Sequence, residues 1–434
     1  MRLTDGQDIV LGIAGLGTVG GGVIKILEKH AGLLAARSGR SITIGGVSAR
    51  DRSRDRGVDL SSYTWFDNAV DMAASDTGIN VIVELIGGSD GPALALAREA
   101  LGNGISLVTA NKALIATHGK ELAALAEKTG ADLRFEAAVA GGIPIIKALR
   151  EGLAGNGVTS VRGILNGTCN YILTRMEREG LDFDVVLKDA QQLGYAEADP
   201  TFDIDGIDTA HKTAILAALA FGTEPDIEHL PTEGIRNIAP VDIEYAKELG
   251  YRIKLLGVVQ QTSEGIETRV HPAMVPISAP LANVMDAINA VVVQGDFVGQ
   301  TVYEGPGAGE GPTASAVMAD IIDVARGQGG PRLGIPAGDL AVATPVPVSK
   351  HRGTYYLRLR VEDRHGVMAD ITKILAEEQV SIESMLQRGR ASDGGVYIIM
   401  TTHEVVEASV ASALERFTEL ECVLETPAML RIEA

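Results

Sequence analysis

The sequence predicts an α/β chain: a doubly wound parallel sheet, then an α+β unit, then a small C-terminal βαββαβ module. Three observations carry that expectation. Short apolar strands alternate with helical patterns from Ile9 to Ala138, as a parallel sheet with crossover helices requires. Near Gly141 this rhythm gives way to more helices and to strands of a different spacing. Residues 334–354 are rich in Gly, Pro, Ala and Val, with Pro345 and Pro347, and read as a linker before a last run of strands and helices. A chain of 434 residues leaves room for two or three domains. Hydrophobic residues make up 46% of it, enough for sizeable cores. The 51 glycines and 4% aromatics suit tight strand-to-helix turns better than a β-sandwich.

Taken in order, Ile9 to Ile13 forms a buried strand, Gly15 to Gly20 a turn, and Val23, Ile24 and Leu27 mark a helix. Strands follow at Ile42 to Val47, Val81 to Ile86, Ser106 to Thr109 and Asp132 to Ala138. Helices Ala93 to Leu101 and Lys120 to Lys128 lie between them. A helix near Pro144 to Gly152 opens the second unit. Its strands are expected at Ser160 to Leu165, Arg252 to Gln260, Glu267 to Met274 and Ala290 to Gln294. Pro312 to Arg326 has the apolar spacing of a helix that packs back on the first unit. The final module reads strand Tyr355 to Val361, helix Val367 to Gln379, strands Ser381 to Gly389 and Gly395 to Thr401, helix Glu404 to Phe417 and strand Ala428 to Ile432.

A formal net charge of −19 repels nucleic acid and anionic membranes, so neither is an expected partner. The two cysteines, Cys169 and Cys422, make neither a disulfide framework nor a zinc pattern. Asp5 and Asp8 argue against a signal peptide, and no apolar run reaches the roughly 18 residues that span a bilayer. A reducing cytoplasm is the simplest home.

Gly15, Leu16, Gly17, Thr18, Val19 and Gly20 have a strand before them and a helix after. Gly15 permits the tight turn, Gly17 lets the backbone approach a pyrophosphate, and Gly20 allows close helix–strand packing. The helix N-terminus adds N–H groups and a positive dipole end. This context points to a Rossmann-type dinucleotide-binding domain over 1–140, completed by 310–335. The plainer reading is an ordinary tight turn. Ser48-Ala49-Arg50-Asp51-Arg52 follows the second strand. Arg50 or Arg52 would pair with a ribose 2′-phosphate, which favours NADP(H). Asp51 keeps NAD(H) open, and a solvated charged loop is the alternative.

Three further segments bear chemistry. Lys112, in Thr109-Ala110-Asn111-Lys112, sits just past the carboxyl end of a strand, where ligands bind in open parallel sheets. It could equally be a surface lysine. Asn166-Gly167-Thr168-Cys169-Asn170-Tyr171 is polar between apolar runs, so it meets either a ligand or a helix N-cap. Between Gly194 and Lys212 five carboxylates, from Glu197 to Asp208, precede a helix that opens near Gly206. Asp208 and Lys212, four apart, share one face of it. Carboxylates suit a substrate ammonium, and a lysine beside an aspartate suits proton delivery to a developing alkoxide. A solvated acidic loop with a routine helix salt bridge is the competing reading. The apolar run Thr213 to Phe221 weighs against it by burying the helix beyond the charges.

Together the glycine turn, Thr109 to Lys112, Asn166 to Tyr171 and the long Gly194–Lys212 pattern resemble homoserine dehydrogenase over about residues 8 to 335. The tail, 354–434, is similar to an ACT domain, with 336–353 as linker and 141–309 as the catalytic and dimerisation domain. The layout resembles the long monofunctional form, without a fused kinase. The resemblance implies reversible NAD(P)H-dependent reduction of L-aspartate 4-semialdehyde to L-homoserine, within threonine, methionine and isoleucine biosynthesis.

It implies Lys212 as proton donor, Asp208 beside it, and Lys112 near nicotinamide and substrate. Glu197, Asp203 and Asp208 would hold the substrate. Gly88, Ala110, Gly194 and Gly309 join the glycine turn in contacting cofactor. Glu136, Val139, Gly141 and Ile143 match a monovalent-cation site, which suggests sodium. Ala198 stands where many relatives carry proline, and His365 replaces the proline usual in the ACT turn. Gly366 still leaves an open helix N-terminus for a ligand carboxylate, and threonine is the implied effector. A mere dimerisation module is the alternative. A homodimer or homotetramer is expected. Two rival readings are a semialdehyde-oxidising enzyme using a Cys169 thiolate, and a non-enzymatic amino-acid or dinucleotide sensor.

Overall fold

A computed structural model describes residues 7–74, 76–388 and 395–433. Asp5 and Gly389, which carried expectations above, lie outside the described residues. The first unit comprises β1 (Ile9–Ala14), α1 (Thr18–Ser38), β2 (Ile42–Ser48), β3 (Thr64–Trp65), β4 (Val81–Glu84), α2 (Pro92–Gly102), β5 (Ser106–Thr109), α3 (Lys112–Thr129) and β6 (Leu133–Arg134). Its six strands form one sheet in the order β3-β2-β1-β4-β5-β6, and every pair is parallel. The order reverses at β1, so the carboxyl ends of β1, β4 and β5 lie side by side. That is the topological switch point at which open α/β sheets bind ligands. The central strands are buried on both faces, which is why they read as apolar runs rather than alternations.

The second unit contains α4 (Ile145–Lys147), β7 (Val158–Ile164), α5 (Gly167–Glu179), α6 (Phe183–Gln192), α7 (Thr201–Ile204), α8 (Ile207–Phe221), α9 (Pro240–Glu248), β8 (Tyr251–Gln261), β9 (Ile266–Pro276), β10 (Ile288–Gly295), β11 (Gly299–Pro306) and α10 (Glu310–Arg326). Helix α10 returns to the first unit: Ala314, Val317, Ile321 and Val324 share a core with Ile9, Leu11 and Ile13 of β1. The tail holds β12 (Arg352–Glu362), α11 (Val367–Glu377), β13 (Ile382–Arg388), β14 (Gly395–Thr402), β15 (Val405–Val406), α12 (Glu407–Thr418) and β16 (Ala428–Ile432).

The tail's strands do not stand apart. One mixed sheet runs β11-β10-β7-β8-β9-β16-β12-β14-β13, with β15 beside β12. The junction is a short parallel pairing of Arg431 with Ala273 and Ile432 with Met274. Residues 336–353 lie along the second unit: Ala341 bridges Thr223, and Pro345 bridges Ile266.

Several expected elements change length for visible reasons. The strand expected to run to Ile86 stops at Glu84, whose carboxylate accepts the N–H groups of Ile86 and Gly87 and turns the chain. The strand expected over Asp132 to Ala138 covers only Leu133–Arg134, and Glu136–Ala138 forms a single tight turn. There Glu136 reaches over to accept from Ile146 and Lys147 at the start of α4. The helix expected from Lys120 begins at Lys112, capped by Asn111, which accepts from Leu114 N–H at 3.1 Å.

Candidate active site

The site grows from two helix N-termini that face each other across the domain boundary. Helix α3 follows β5 at the switch point and puts Lys112 in its first turn. Helix α8 opens at Gly206 and carries Asp208 and Lys212 one turn apart. Asp208 is buried between the lysines. Its Oδ1 lies 2.8 Å from Lys112 Nζ, and its Oδ2 lies 2.7 Å from Lys212 Nζ. Lys212 also donates to the Leu165 carbonyl at 2.7 Å. Burial alone would raise the Asp208 carboxyl; the ammonium groups of Lys212 and Lys112 outweigh it and hold it well below the usual carboxylate range. Burial pushes the Lys212 ammonium down, against the pull of Asp208.

Asn166 satisfies both readings of its segment. Its Oδ1 caps α5 by accepting from Cys169 N–H at 2.8 Å, while its Nδ2 donates to Asp203 at 2.8 Å and Asp208 at 2.9 Å. Asp203 is thereby fixed beside Asp208. Phe202, on α7, lies under Lys112 with its ring 5.3 Å from Nζ, and meets His211 edge-on. Two other carboxylates of the acidic stretch are spoken for. Asp199 accepts from Thr201 N–H, and Asp205 pairs with Arg236. Glu197 is exposed, and among the described residues nothing ties its carboxylate to the cluster. Gln191 instead donates to its backbone carbonyl. The exposed Gly194, at φ +78°, starts the same loop. Tyr195 in that loop stacks on Tyr171 at 4.3 Å.

The glycine turn adjoins this cluster through the strand ends. At Gly15, φ +101°, a side chain would strike the Leu85 carbonyl, and at Gly20 one would strike the Gly15 carbonyl. Gly17 has nothing within 4 Å of where a Cβ would stand. The turn is therefore packed shut on the protein side and open on the other, the cradle a pyrophosphate needs. Leu16, Gly17 and Thr18 line a cleft of about 250 Å³ together with Arg54, Asp55, Arg56 and the Lys25–Glu310 ion pair. Val19 continues α1. The expected Arg50 is exposed at the end of β2, outside the lining of this cleft. Arg56, which does line it, donates to the Leu16 carbonyl at 3.0 Å and to the Arg54 carbonyl at 2.6 Å. Asp51 turns its carboxylate onto Ser53 N–H and hydroxyl. Across the switch point Asn111 Nδ2 donates to the Gly88 carbonyl at 2.7 Å, and Ala110 N–H to the Glu84 carbonyl at 3.3 Å. Gly309 caps α10 at φ +120°.

Against known proteins, the model for "Homoserine dehydrogenase" matches residues 144–322, "Homoserine dehydrogenase, NAD binding domain" matches 15–136, and "ACT domain" matches 355–422. The homoserine dehydrogenase of Neisseria gonorrhoeae is 46% identical over 99% of both chains. This chain belongs to the homoserine dehydrogenase family. As a homoserine dehydrogenase it is an NAD(P)-dependent oxidoreductase acting on a CH–OH group, with a C-terminal ACT domain. The crystal structure of a homoserine dehydrogenase from Thiobacillus denitrificans superimposes with a TM-score of 0.93, at 46% identity, over 98% of both chains. A hyperthermophilic archaeal homoserine dehydrogenase in complex with NADPH covers 73% of this chain and 98% of its own, with 28% identity and a TM-score of 0.62.

Sequence reasoning passed over several residues that build this homoserine dehydrogenase site. Glu84, fully buried, accepts from Thr109 Oγ1 at 2.5 Å as well as from the turn after β4. A carboxylate inside the apolar run Val81 to Ile86 was its available signal. His211 Nδ1 is buried with no partner among the described residues, and burial, with Lys112 nearby, lowers its pKa. Cys169 is fully buried, its Sγ 3.2 Å from the Asp203 carbonyl. Burial and the surrounding carboxylates push its thiol up, the reverse of an activated nucleophile.

Glu136, Val139, Gly141 and Ile143 lie together on one buried loop whose middle residue, Ala140, adopts φ +50°. Burial and neighbouring Asp320 push the Glu136 carboxyl up to about 8. Asp320 Oδ1 is buried with no hydrogen-bond partner among the described residues. Glu136 and Asp320 thus bring two buried acidic groups together beside this loop, and both Glu136 oxygens already accept backbone N–H groups.

Proposed function

We propose that the enzyme reduces L-aspartate 4-semialdehyde to L-homoserine, reversibly, with Lys212 delivering the proton. The observation that carries this reading is the Asp208 carboxylate held between Lys112 and Lys212 at the mouth of the dinucleotide fold. The dinucleotide, when bound across the glycine turn, supplies the hydride. Lys212, kept charged beside Asp208, stabilises the nascent alkoxide and protonates it. Lys112 adds a second positive charge on the dinucleotide side. Asp203 and Glu197 neutralise the substrate ammonium, Asp203 from a fixed position and Glu197 from its exposed loop. NADP(H) is the favoured cofactor. Arg54 and Arg56 line the cleft, Asp51 is turned onto Ser53, and the archaeal relative is an NADPH complex.

The test follows NADPH absorbance with the semialdehyde. Lys212→Ala should lose at least roughly 100-fold in turnover while dinucleotide affinity survives. Near-normal turnover in that variant rejects the assignment.

The same proposal extends to three further features. The loop of Glu136, Val139, Gly141 and Ile143 takes sodium, with their backbone carbonyls as its main ligands. Replacing sodium by tetramethylammonium at constant ionic strength should then lower Tm by a few degrees, and Glu136→Gln should abolish the difference. Threonine acts as feedback inhibitor at the ACT domain, where the exposed Gly366 opens α11. The assembly is a homodimer or homotetramer of a cytoplasmic pathway enzyme divided at about residues 140, 309 and 354. No helix among the described residues is long and apolar enough to cross a membrane.

A further inference from the structure

We infer that Arg431, in the last strand of the ACT domain, is a positioning residue for the substrate loop, acting through Glu233. The inference rests on the proposed roles of Asp203, Asp208 and Lys212. Arg431 is buried, and its guanidinium holds two carboxylates at once. Nε and Nη2 donate to Glu407 of α12 at 2.7 and 2.6 Å, and Nη2 donates to Glu233 of the second unit at 2.8 Å. The first pair lies within the ACT domain, and the second leaves it.

Glu233 sits on a strap, residues 231–235, that the backbone ties on both sides. Its N–H donates to the Val270 carbonyl at 2.8 Å, which fixes one side to β9. On the other side Ile235 N–H donates to the Ile204 carbonyl at 2.8 Å, and Gly234 passes so close to Ile204 and Asp205 that no side chain fits there. Ile204 ends α7, which carries Phe202 and Asp203. The Glu233 carbonyl lies 3.4 Å from where a Gly206 Cβ would stand, and Gly206 is the N-cap of α8. The strap therefore lies directly against the chain that sets Asp203 and beside the helix start that sets Asp208 and Lys212. The path from Arg431 to Asp203 consists of hydrogen bonds and close backbone contacts, with no flexible side chain between Glu233 and α7.

A repositioned Arg431 has one movable partner. Glu407 is buried and also accepts from Tyr355 at 3.3 Å, whereas the Glu233 side chain is about half exposed. Any rearrangement that draws Arg431 toward Glu407 removes one anchor of the strap and loosens it, and α7 with it, against the backbone bonds that remain. The ACT domain thus acts on substrate affinity, leaving the dinucleotide cleft untouched on the far side of Lys112.

Glu233→Ala isolates this link, because it removes the half-exposed partner and keeps the buried Arg431–Glu407 pair. In the full-length enzyme we expect unchanged Tm, a kcat within twofold, and KM for the amino-acid substrate raised three- to tenfold. KM for NADPH should stay within twofold. Glu233→Gln, whose carbonyl still accepts from Nη2, should fall between wild type and alanine. Amide hydrogen exchange, read without any ligand, should quicken over residues 203–208 and 235 and stay unchanged over β12 and β14. Unchanged exchange over residues 203–208 and 235, or an unchanged KM in an active enzyme, overturns the inference. So does an equal rise in both KM values. A wild-type enzyme inert toward the semialdehyde overturns the proposed function instead, and the exchange measurement alone then decides the link.

Discussion

Asp208 pairs with two ammonium groups at once, and this governs how Lys212 titrates. Burial pushes the Lys212 pKa below the ordinary lysine value of about 10.4, and Asp208 is the counterweight. Only the protonated form donates, so the reductive rate should fall as pH rises through that depressed pKa. Asp208→Asn removes the counterweight and leaves Lys112 as an unopposed neighbour. The alkaline limb of kcat/KM should then move to lower pH by about one unit or more. An unmoved limb would mean that another group titrates. The spacing of Asp208 and Lys212 was legible because four residues make one helical turn. The arrival of Lys112 was not, since it comes from a different domain and no local period encodes it. Nor was the division of labour among the five carboxylates. Asp199 and Asp205 look like Asp203 in sequence, and only Thr201 and Arg236 take them out of the cluster.

At the scale of elements, the two turns at the switch point depend on Glu84. Thr109 Oγ1 accepts from Asn111 N–H at 2.9 Å, so its single hydrogen goes to Glu84. A glutamine at 84 keeps one acceptor for Ile86 and Gly87 but turns an N–H₂ toward Thr109. The Thr109 hydroxyl hydrogen is then stranded in a buried site, a penalty of about 1–3 kcal/mol. Because Gly88, Asn111 and Lys112 sit on these turns, Glu84→Gln should raise KM for NADPH and lower kcat together. A variant with wild-type kinetics would show that the turns hold without this carboxylate. Strands and helices with a clear apolar period were read within a few residues, as for Ala428–Ile432. β11 was missed. It is an edge strand, alternately half-buried and exposed, and its glycines and terminal proline mimic a loop. Short α7 has too few residues for a period to appear.

Across the whole molecule the ACT domain is built into the sheet rather than tethered to it. Tyr356, Ile399 and Leu430 of the tail share one core with Cys169, Ile204 and Ile253. Arg358 and Tyr356 both donate to Asp242 at the start of α9, at 2.7 and 3.0 Å. Glu433, buried past β16, accepts from Arg269 of β9 at 2.6 Å, and His271 and Arg162 lie within 3.5 Å. The Arg269 guanidinium, helped by the His271 hydrogen bond and by Arg162, holds its carboxyl well below the usual range against strong burial. Sequence reading saw a Gly- and Pro-rich linker here and had no means to see this seam. The pairing of β16 with β9 spans most of the second and third units, and register between distant strands leaves no local trace. Detaching the tail would bare an edge of β9 and leave Arg269, His271 and Asp242 short of partners. The two units should therefore melt together, in one calorimetric transition. Glu433→Ala breaks a buried pair, at a cost of about 3 kcal/mol, with Glu267 still holding Arg269. That transition should move down by several degrees as a whole. If an ACT transition instead separates and shifts alone while the rest melts as before, the seam does not join the units. Coupling through Arg431 would then lack the rigid support it needs.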